Sequence, residues 1–490
     1  MDGRFFKLSD NYALRGWDRL PYAYVDTKTN MPTFLHKDHA SSLLLCDGEH
    51  DIDSILVSDA QRKDIEELVK RGVVVPCQEG EGLTEEQRYK FFPNRFVLNI
   101  QWSVTGRCNF ACKHCMMSAP EGVLGELSHE SALNIIEQLA ECGVGRVALT
   151  GGELFARKDV PELTRALVAE GIVISQIYTN GSLLSESYLD LLAELGQTPE
   201  VVISFDGVGH HDWLRGIPGA EAMANRAIAL AHERGLVTRV QMVAHCNNIS
   251  SLRETVLHLA DLGCTALRVG AVNELGDWVE NGKGLTLTDE EFLEAELAYI
   301  PQYYEDGMPL PITLAGLVSL SPAKPDRYVV NPYKGGQGCD ACLLSCARNS
   351  FSISADGVLS VCELSRPLRD SSLVELHSIV SDDPSVHTVP LRESLSGDSE
   401  LLGALYLKES DLAAGGQDCA ACKYLSACKG GCRAQAFQSS GSMLGPDPSA
   451  CTFFKKGWAE RLIQVMHEVR PEATSDILED PLFVSARISG

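Results

Sequence analysis

Hydrophobic and polar positions along this chain change period several times, and the changes mark its elements. Near the start, Tyr22-Ala23-Tyr24-Val25 and Pro32-Thr33-Phe34-Leu35 flank the polar stretch Asp26-Thr27-Lys28-Thr29-Asn30, which predicts a β-hairpin. Helical periodicity follows at 40–45 and again from Asp59 through Val69, closing at Gly72-Val73-Val74-Val75. The polar run Gln78-Glu79-Gly80-Glu81-Gly82 reads as a linker. Strand and helix then alternate. Strands are expected at 96–104, 146–150, 173–179, 201–205, 238–244 and 267–272, each rich in β-branched or aliphatic residues. Amphipathic helices are expected near 129–142, 159–170, 185–195, 220–234 and 251–262. Alternation of this kind implies α/β architecture, with a parallel sheet whose functional loops lie at the carboxyl ends of the strands. Six units fit an incomplete barrel. Residues 306–338, rich in Pro and Gly, read as a bridge, and 351–361 carry a strand, an Asp356-Gly357 turn and a second strand.

Composition narrows the class. A chain of 490 residues has room for two to four domains, and 44% hydrophobic with 22% charged residues is ordinary for a soluble globular protein. No apolar run approaches bilayer-spanning length, and Met1-Asp2-Gly3-Arg4-Phe5-Phe6 lacks the basic end and apolar core of a signal peptide. A cytoplasmic location without a membrane partner is therefore expected. The net charge of −25 argues against a nucleic-acid partner, because phosphate backbones are bound by releasing counterions to Lys and Arg. Seventeen cysteines without an export signal read as metal ligands before they read as disulfides.

Most of those cysteines fall into tight groups. The first is Cys108-Asn109-Phe110-Ala111-Cys112-Lys113-His114-Cys115, directly after the first strand of the alternating region. Three thiolates on one loop can hold three corners of a [4Fe–4S] cube and leave the fourth iron open to a small molecule. His114 offers a local fourth ligand, so these residues alone also allow a structural zinc site. The second strand ends in Thr150-Gly151-Gly152-Glu153-Leu154, where two glycines permit close backbone approach and a carboxylate can accept from an ammonium group. Such a turn is unspecific by itself. The fourth strand runs Val202-Ile203-Ser204-Phe205-Asp206-Gly207, followed by His210, Asp212 and Arg215-Gly216. The plain alternatives there are a turn at Asp206-Gly207 and a solvated charge at Arg215. Cys246, after the fifth strand, falls near the mouth of the barrel by register, although packing as a small apolar side chain is the plainer reading. Cys46, Cys77, Cys142 and Cys264 read as packing. The tail carries Cys339, Cys342, Cys346 and Cys362, then Cys419-x2-Cys422-x5-Cys428-x3-Cys432 and Cys451. Paired CxxC spacings also suit zinc ribbons.

The C-x3-C-x2-C loop followed by the Gly-Gly-Glu turn resembles the radical S-adenosylmethionine (radical SAM) superfamily. The resemblance implies a partial (βα)6 barrel at 96–305, a [4Fe–4S] cluster on Cys108, Cys112 and Cys115, and S-adenosylmethionine at its open iron. It further implies that Gly151, Gly152 and Glu153 hold the methionyl amino group, with Leu154 standing where the family has Pro. Ser204 would contact the cofactor's carboxylate or ribose, Arg215 or Arg226 would pair with that carboxylate, and Cys246 would donate a hydrogen atom as in epimerase-type members. Residues 339–460 resemble the SPASM extension, which implies two auxiliary [4Fe–4S] clusters. One would take Cys346, Cys362, Cys432 and either Cys339 or Cys342; the other would take Cys419, Cys422, Cys428 and Cys451. Residues 1–82 resemble the winged-helix peptide-recognition domain of maturases of ribosomally made peptides, where a precursor's leader adds as an extra strand. Residues 461–490 would form a closing helix and tail. The expected function is modification of a precursor peptide by thioether or carbon–carbon crosslinking, with a small flavodoxin or ferredoxin as electron donor. The alternatives are an anaerobic sulfatase-maturing enzyme, a peptide epimerase and a non-catalytic metal-bound scaffold.

Overall fold

The computed structural model describes residues 4–119, 122–331, 350–360, 376–397, 399, 409–415 and 418–479. At the amino end, β1 (Phe5–Leu8) pairs antiparallel with β5 (Val74–Cys77). Strands β2 (Tyr12–Asp18), β3 (Leu20–Asp26), β4 (Pro32–Phe34) and β6 (Lys90–Arg95) form a sheet of order β4-β3-β2-β6. The β3–β4 turn is set by Asp26, whose Oδ1 accepts from the backbone N–H groups of Lys28 and Thr29. Helices α1 (Lys37–Leu44) and α2 (Asp59–Lys70) cover this layer, and α2 opens on a Ser58–Gln61 capping box. Phe6, Leu8, Leu14, Tyr24, Leu43 and Ile65 fill the space between them.

The main sheet has eleven strands. Its parallel centre runs in sequence order through β7 (Asn99–Ser103), β8 (Arg146–Thr150), β9 (Val173–Thr179), β10 (Glu200–Ser204), β11 (Thr238–Ala244) and β12 (Ala266–Ala271). Between them lie α3 (His129–Glu141), α4 (Val160–Ala169), α5 (Glu186–Glu194), the short α6 (His211–Arg215), α7 (Ala220–Glu233) and α8 (Leu252–Asp261). Val201, Val202 and Ile203 are all buried, as a parallel strand covered on both faces requires.

The stretch expected to be a bridge instead extends this sheet. After α9 (Trp278–Asn281) and α10 (Asp289–Glu305), β13 (Ile312–Leu314) pairs parallel with β12, and β14 (Val318–Leu320) and β15 (Val329–Val330) add antiparallel. Segments of two or three residues between prolines are too short to show a period. On the opposite edge, β16 (Ser350–Ile353) pairs parallel with β7 and turns through Gly357 into β17 (Leu359–Ser360). A helix at Trp458–Val469 packs Trp458, Leu462 and Met466 into the core that holds Phe292 and Leu297 of α10.

The β3–β4 turn docks on the amino ends of the parallel strands. Asn30 Nδ2 donates to the carbonyls of Gly145 and Gly171, both at 2.7 Å, so its two amide hydrogens are satisfied just before β8 and β9 begin. This contact lies at the end of the sheet opposite the cysteine-bearing loop. No helix among the described residues is long and apolar enough to cross a membrane.

Candidate functional site

Cys108, Cys112 and Cys115 sit on the long loop that leaves the carboxyl end of β7, and the neighbouring strand ends clamp that loop. Arg157, buried and paired with Asp159 at 2.6 Å, donates through Nη1 to the carbonyls of both Val104 and Leu127 and so closes the loop's base. The Gly151-Gly152-Glu153 turn is stitched across it, with Gly152 N donating to Thr105 O and Glu153 N to Arg107 O, each at 2.8 Å. A Cβ on Gly151 would stand 2.7 Å from Thr105 O, so backbone packing itself demands glycine here. Asn109 accepts from Asn180 Nδ2 and donates to Ser182 Oγ beyond β9. Lys113 N donates to Leu214 O at the end of α6, and Asp277 N, after β12, donates to Cys115 O.

The three sulfurs share an electrostatic signature. Each receives a hydrogen: Cys108 Sγ from Phe110 N at 3.4 Å, Cys115 Sγ from Ala119 N at 3.3 Å, and Cys112 Sγ from Arg215 Nη1 at 3.8 Å. The packing thiols do the reverse. Cys46 Sγ donates to Ser42 O, and Cys264 Sγ donates to Ala266 O at 3.2 Å. Burial nevertheless pushes the Cys108 pKa up to about 12 and raises that of Cys112, so these accepting sulfurs are placed to ligate a cluster rather than to stand as free thiolates. The donor set therefore fits a thiolate-bound group. Among the described residues, no three or more His, Cys, Asp or Glu side chains are gathered closely enough to hold a single metal ion. His114 Nδ1 is buried without a hydrogen-bond partner, and burial, aided by the Arg215 charge, pushes its pKa down to about 3.

The plain alternatives at Arg215 and Asp206 change. Arg215 is not a solvated charge: it is 8% exposed, and its Nε donates to Asp206 Oδ2 at 2.7 Å. Asp206, expected as a turn residue, is fully buried; it also contacts His211 Nδ1 at 3.0 Å and accepts from Val243 N. Burial alone would push the Asp206 carboxyl up, but Arg215 and His211 hold it well below the usual carboxylate range. The carboxylate of Glu153, expected near the methionyl amino group, accepts from Thr179 Oγ1 and Asn180 N, both at 2.7 Å, and from Phe155 N. These bonds tie the ends of β8 and β9.

Ser204 ends β10 half-buried, Arg226 is exposed on α7, and Cys246 is exposed beyond β11. In the carboxyl-terminal part, Cys419, Cys422, Cys428 and Cys451 line one pocket. Cys432 begins a helix beside them, its N–H held by Asp447 Oδ2 at 2.6 Å. Arg433 beside it is wholly buried, donates through Nη1 to Met443 O and Gly445 O, and has no partner for Nε and Nη2 among the described residues. Cys339, Cys342, Cys346 and Cys362 lie outside the described residues. Arg157, Asp277 and Arg433 carried no sequence signal, whereas Asp206, His211 and Arg215 stood inside a legible motif whose partnerships were not.

Comparison with known proteins agrees with this geometry. Residues 102–259 match the Radical SAM superfamily. The PqqA peptide cyclase of Granulibacter bethesdensis is 26% identical over 75% of this chain and 91% of that protein. The AdoMet-dependent heme synthase of Nitratidesulfovibrio vulgaris is 27% identical over 71% of this chain and 90% of that protein. The crystal structure of Streptococcus suis SuiB bound to precursor peptide SuiA covers 91% of this chain and 100% of that one at 15% identity, with a TM-score of 0.60, a likeness of fold.

Proposed function

We propose, on the premise that residues 102–259 are a radical SAM domain, that this chain is an enzyme that modifies a ribosomally made precursor peptide. The observation that carries the reading is the loop at the carboxyl end of β7, where three sulfurs each receive an N–H and the segments after β8, β10 and β12 hold the backbone in place. Cys108, Cys112 and Cys115 would hold a [4Fe–4S] cluster, and S-adenosylmethionine would lie over the ends of β8 to β10, beside the Gly151-Gly152-Glu153 turn and Ser204. Bound there, these groups supply a 5′-deoxyadenosyl radical that abstracts hydrogen from an unactivated carbon. The chain's own contribution is rigidity: the clamped loop fixes where the target carbon must stand.

The peptide substrate is supported by the PqqA peptide cyclase likeness and by the independently packed sheet-and-helix layer at the amino end. On this reading residues 1–82 bind the leader, and crosslinking through a thioether or a carbon–carbon bond is the favoured outcome. Residues 339–460 would hold two auxiliary clusters. The second is supported by the pocket shared by Cys419, Cys422, Cys428 and Cys451, with Arg433 as a buried cation beside the thiolates. A small flavodoxin or ferredoxin would deliver the electron. A cytoplasmic, reducing location suits the thiols, all free among the described residues. The heme synthase likeness supports a second reading, a small-molecule substrate on the same scaffold.

Anaerobic protein with dithionite and S-adenosylmethionine should yield 5′-deoxyadenosine, and replacing Cys108, Cys112 and Cys115 together with Ala should abolish it. A short peptide encoded beside the gene should then lose hydrogen mass. Unchanged mass, with one unit gained in heavy water, would indicate epimerisation and turn attention to Cys246. Cofactor cleavage with no change in any candidate peptide would favour the small-molecule reading.

A further inference from the structure

We infer that Asp206 and Arg215 form a buried positioning pair that fixes a positive charge on one chosen cysteine, Cys112, and thereby sets the reduction potential of the cluster. The inference rests on the reading of Cys108, Cys112 and Cys115 as the ligands and adds what distinguishes one from the other two. Among the described residues, Cys108 and Cys115 accept only backbone N–H groups, each from a residue of the same loop. Cys112 accepts from a guanidinium that belongs to α6.

The pair is built to hold that guanidinium still. Arg215 Nε is bonded to Asp206 Oδ2, and Asp206 is pinned from three other directions. Its Oδ2 also meets His211 Nδ1, its Oδ1 accepts from Val243 N in β11, and its own carbonyl accepts from Asn248 Nδ2. Asp206 and His211 are fully buried, and Phe205 stacks on the His211 ring at 5.3 Å. The backbone locks the same interface, because Lys113 N donates to Leu214 O and a side chain on Gly216 would collide with Ala111 O. On one side of Cys112 the loop is thus bonded to the end of α6, and on the other it packs closely against it, which holds the Cys112 backbone and the base of the Arg215 side chain in one arrangement. With Nε committed to the carboxylate, the planar fork presents Nη1 to the thiolate, a geometry that Lys cannot copy.

A fixed cation and a donor on a cluster sulfur favour the electron-richer form, because hydrogen bonds to sulfur and local charge are among the determinants of cluster potential. Asp206 works in both directions. It holds Arg215 in place, and its negative charge offsets part of the cation's effect. Removing the cation and removing its counter-charge should therefore shift the potential in opposite senses, which a merely structural role would not do.

The test is a redox titration of the reconstituted full-length protein, followed by the electron paramagnetic resonance signal of the reduced cluster in a background lacking Cys346, Cys362, Cys419 and Cys422, two ligands of each auxiliary cluster. Arg215→Met should lower the ratio of reduced to oxidised cluster at a fixed ambient potential by about tenfold, which is ~59 mV for one electron. Asp206→Asn should raise that ratio, and Arg215→Lys should fall between Arg215→Met and the unaltered protein. Should Arg215→Met fail to take up iron, Arg215→Lys and Asp206→Asn still report the two opposed shifts. Loaded variants whose potentials stay put, or move in the same direction, overturn the inference and leave the ligand assignment standing. Unaltered protein that takes up no iron on the first three cysteines overturns the ligand assignment, and the pair's role with it.

Discussion

Two buried arginines stand beside cysteine sulfurs in this chain, and their charges are compensated in opposite ways. Arg215, near Cys112, has a buried carboxylate bonded to it, and the His211 ring meets that same carboxylate at 3.0 Å. Arg433, near Cys419, Cys428 and Cys432, has two carbonyls and, among the described residues, no carboxylate bonded to it; Asp447, whose charge acts on it, spends its oxygens on the N–H groups of Cys432, Ser449 and Ala450. A guanidinium cannot shed its proton to relieve burial, so an uncompensated one is costly. The barrel site is electrically complete as protein alone. The carboxyl-terminal site holds a cation beside sulfurs that burial keeps as thiols, with the Cys428 pKa pushed up to about 12, and a thiolate-bound cluster would supply the anions the protein alone does not.

The strongest way to break that contrast is to remove the carboxylate at the first site. Asp206→Ala leaves Arg215 buried against Cys112 with no paired anion, and stability should drop by about 3–5 kcal/mol, the usual result of deleting one partner of a buried pair. Urea denaturation of the metal-free variant measures this. A loss below about 1 kcal/mol would mean that water reaches the pair and that the site is not closed as described.

At the second site the sign should depend on the cluster. Arg433→Met removes a buried cation without a carboxylate partner, so the metal-free protein should be unchanged or stabilised, by up to about 1–4 kcal/mol. Once iron and sulfide are loaded, the same substitution deletes the counter-charge and should lower the melting temperature or the iron content. Paired thermal melts with and without reconstitution report both halves. The contrast fails if Arg433→Met is destabilising by the same amount in both states.

How much of this was visible in the sequence follows from the length of each signal. The parallel strands fell within a few residues of expectation because each is a run of β-branched and aliphatic residues bounded by Gly or a polar turn, as in Arg146–Thr150 before Gly151. Strands β13 to β15 were missed because two or three residues cannot display a period. The cysteine spacing was legible because one loop carries all three. The partner of Cys112 was not, because Arg215 lies 103 residues away on a five-residue helix, and only the fold brings it home. The glycines of the 151–152 turn were read as room for a ligand; their tight packing on residues 105–107 is a tertiary constraint with the same sequence signature.

A buried acid sharpens the contrast from the other side. Glu296 on α10 is fully buried, and both its oxygens lack a hydrogen-bond partner among the described residues. Burial raises its pKa well above the ordinary carboxylate value, with the charge of Arg268 opposing only in part. Unlike Arg433, it escapes the cost of burial by staying protonated. The folded chain then binds a proton that the unfolded chain releases above about pH 4.3, so stability is full below that pH and declines as pH rises toward the folded-state value. The slope contributed is at most about 1.4 kcal/mol per pH unit. Glu296→Gln, which is neutral at every pH, should remove that slope and leave the stability at pH 4 nearly unchanged. Melting curves at pH 5, 6, 7 and 8 for both proteins give the comparison, and parallel pH profiles would mean that Glu296 is already ionised and paired when folded.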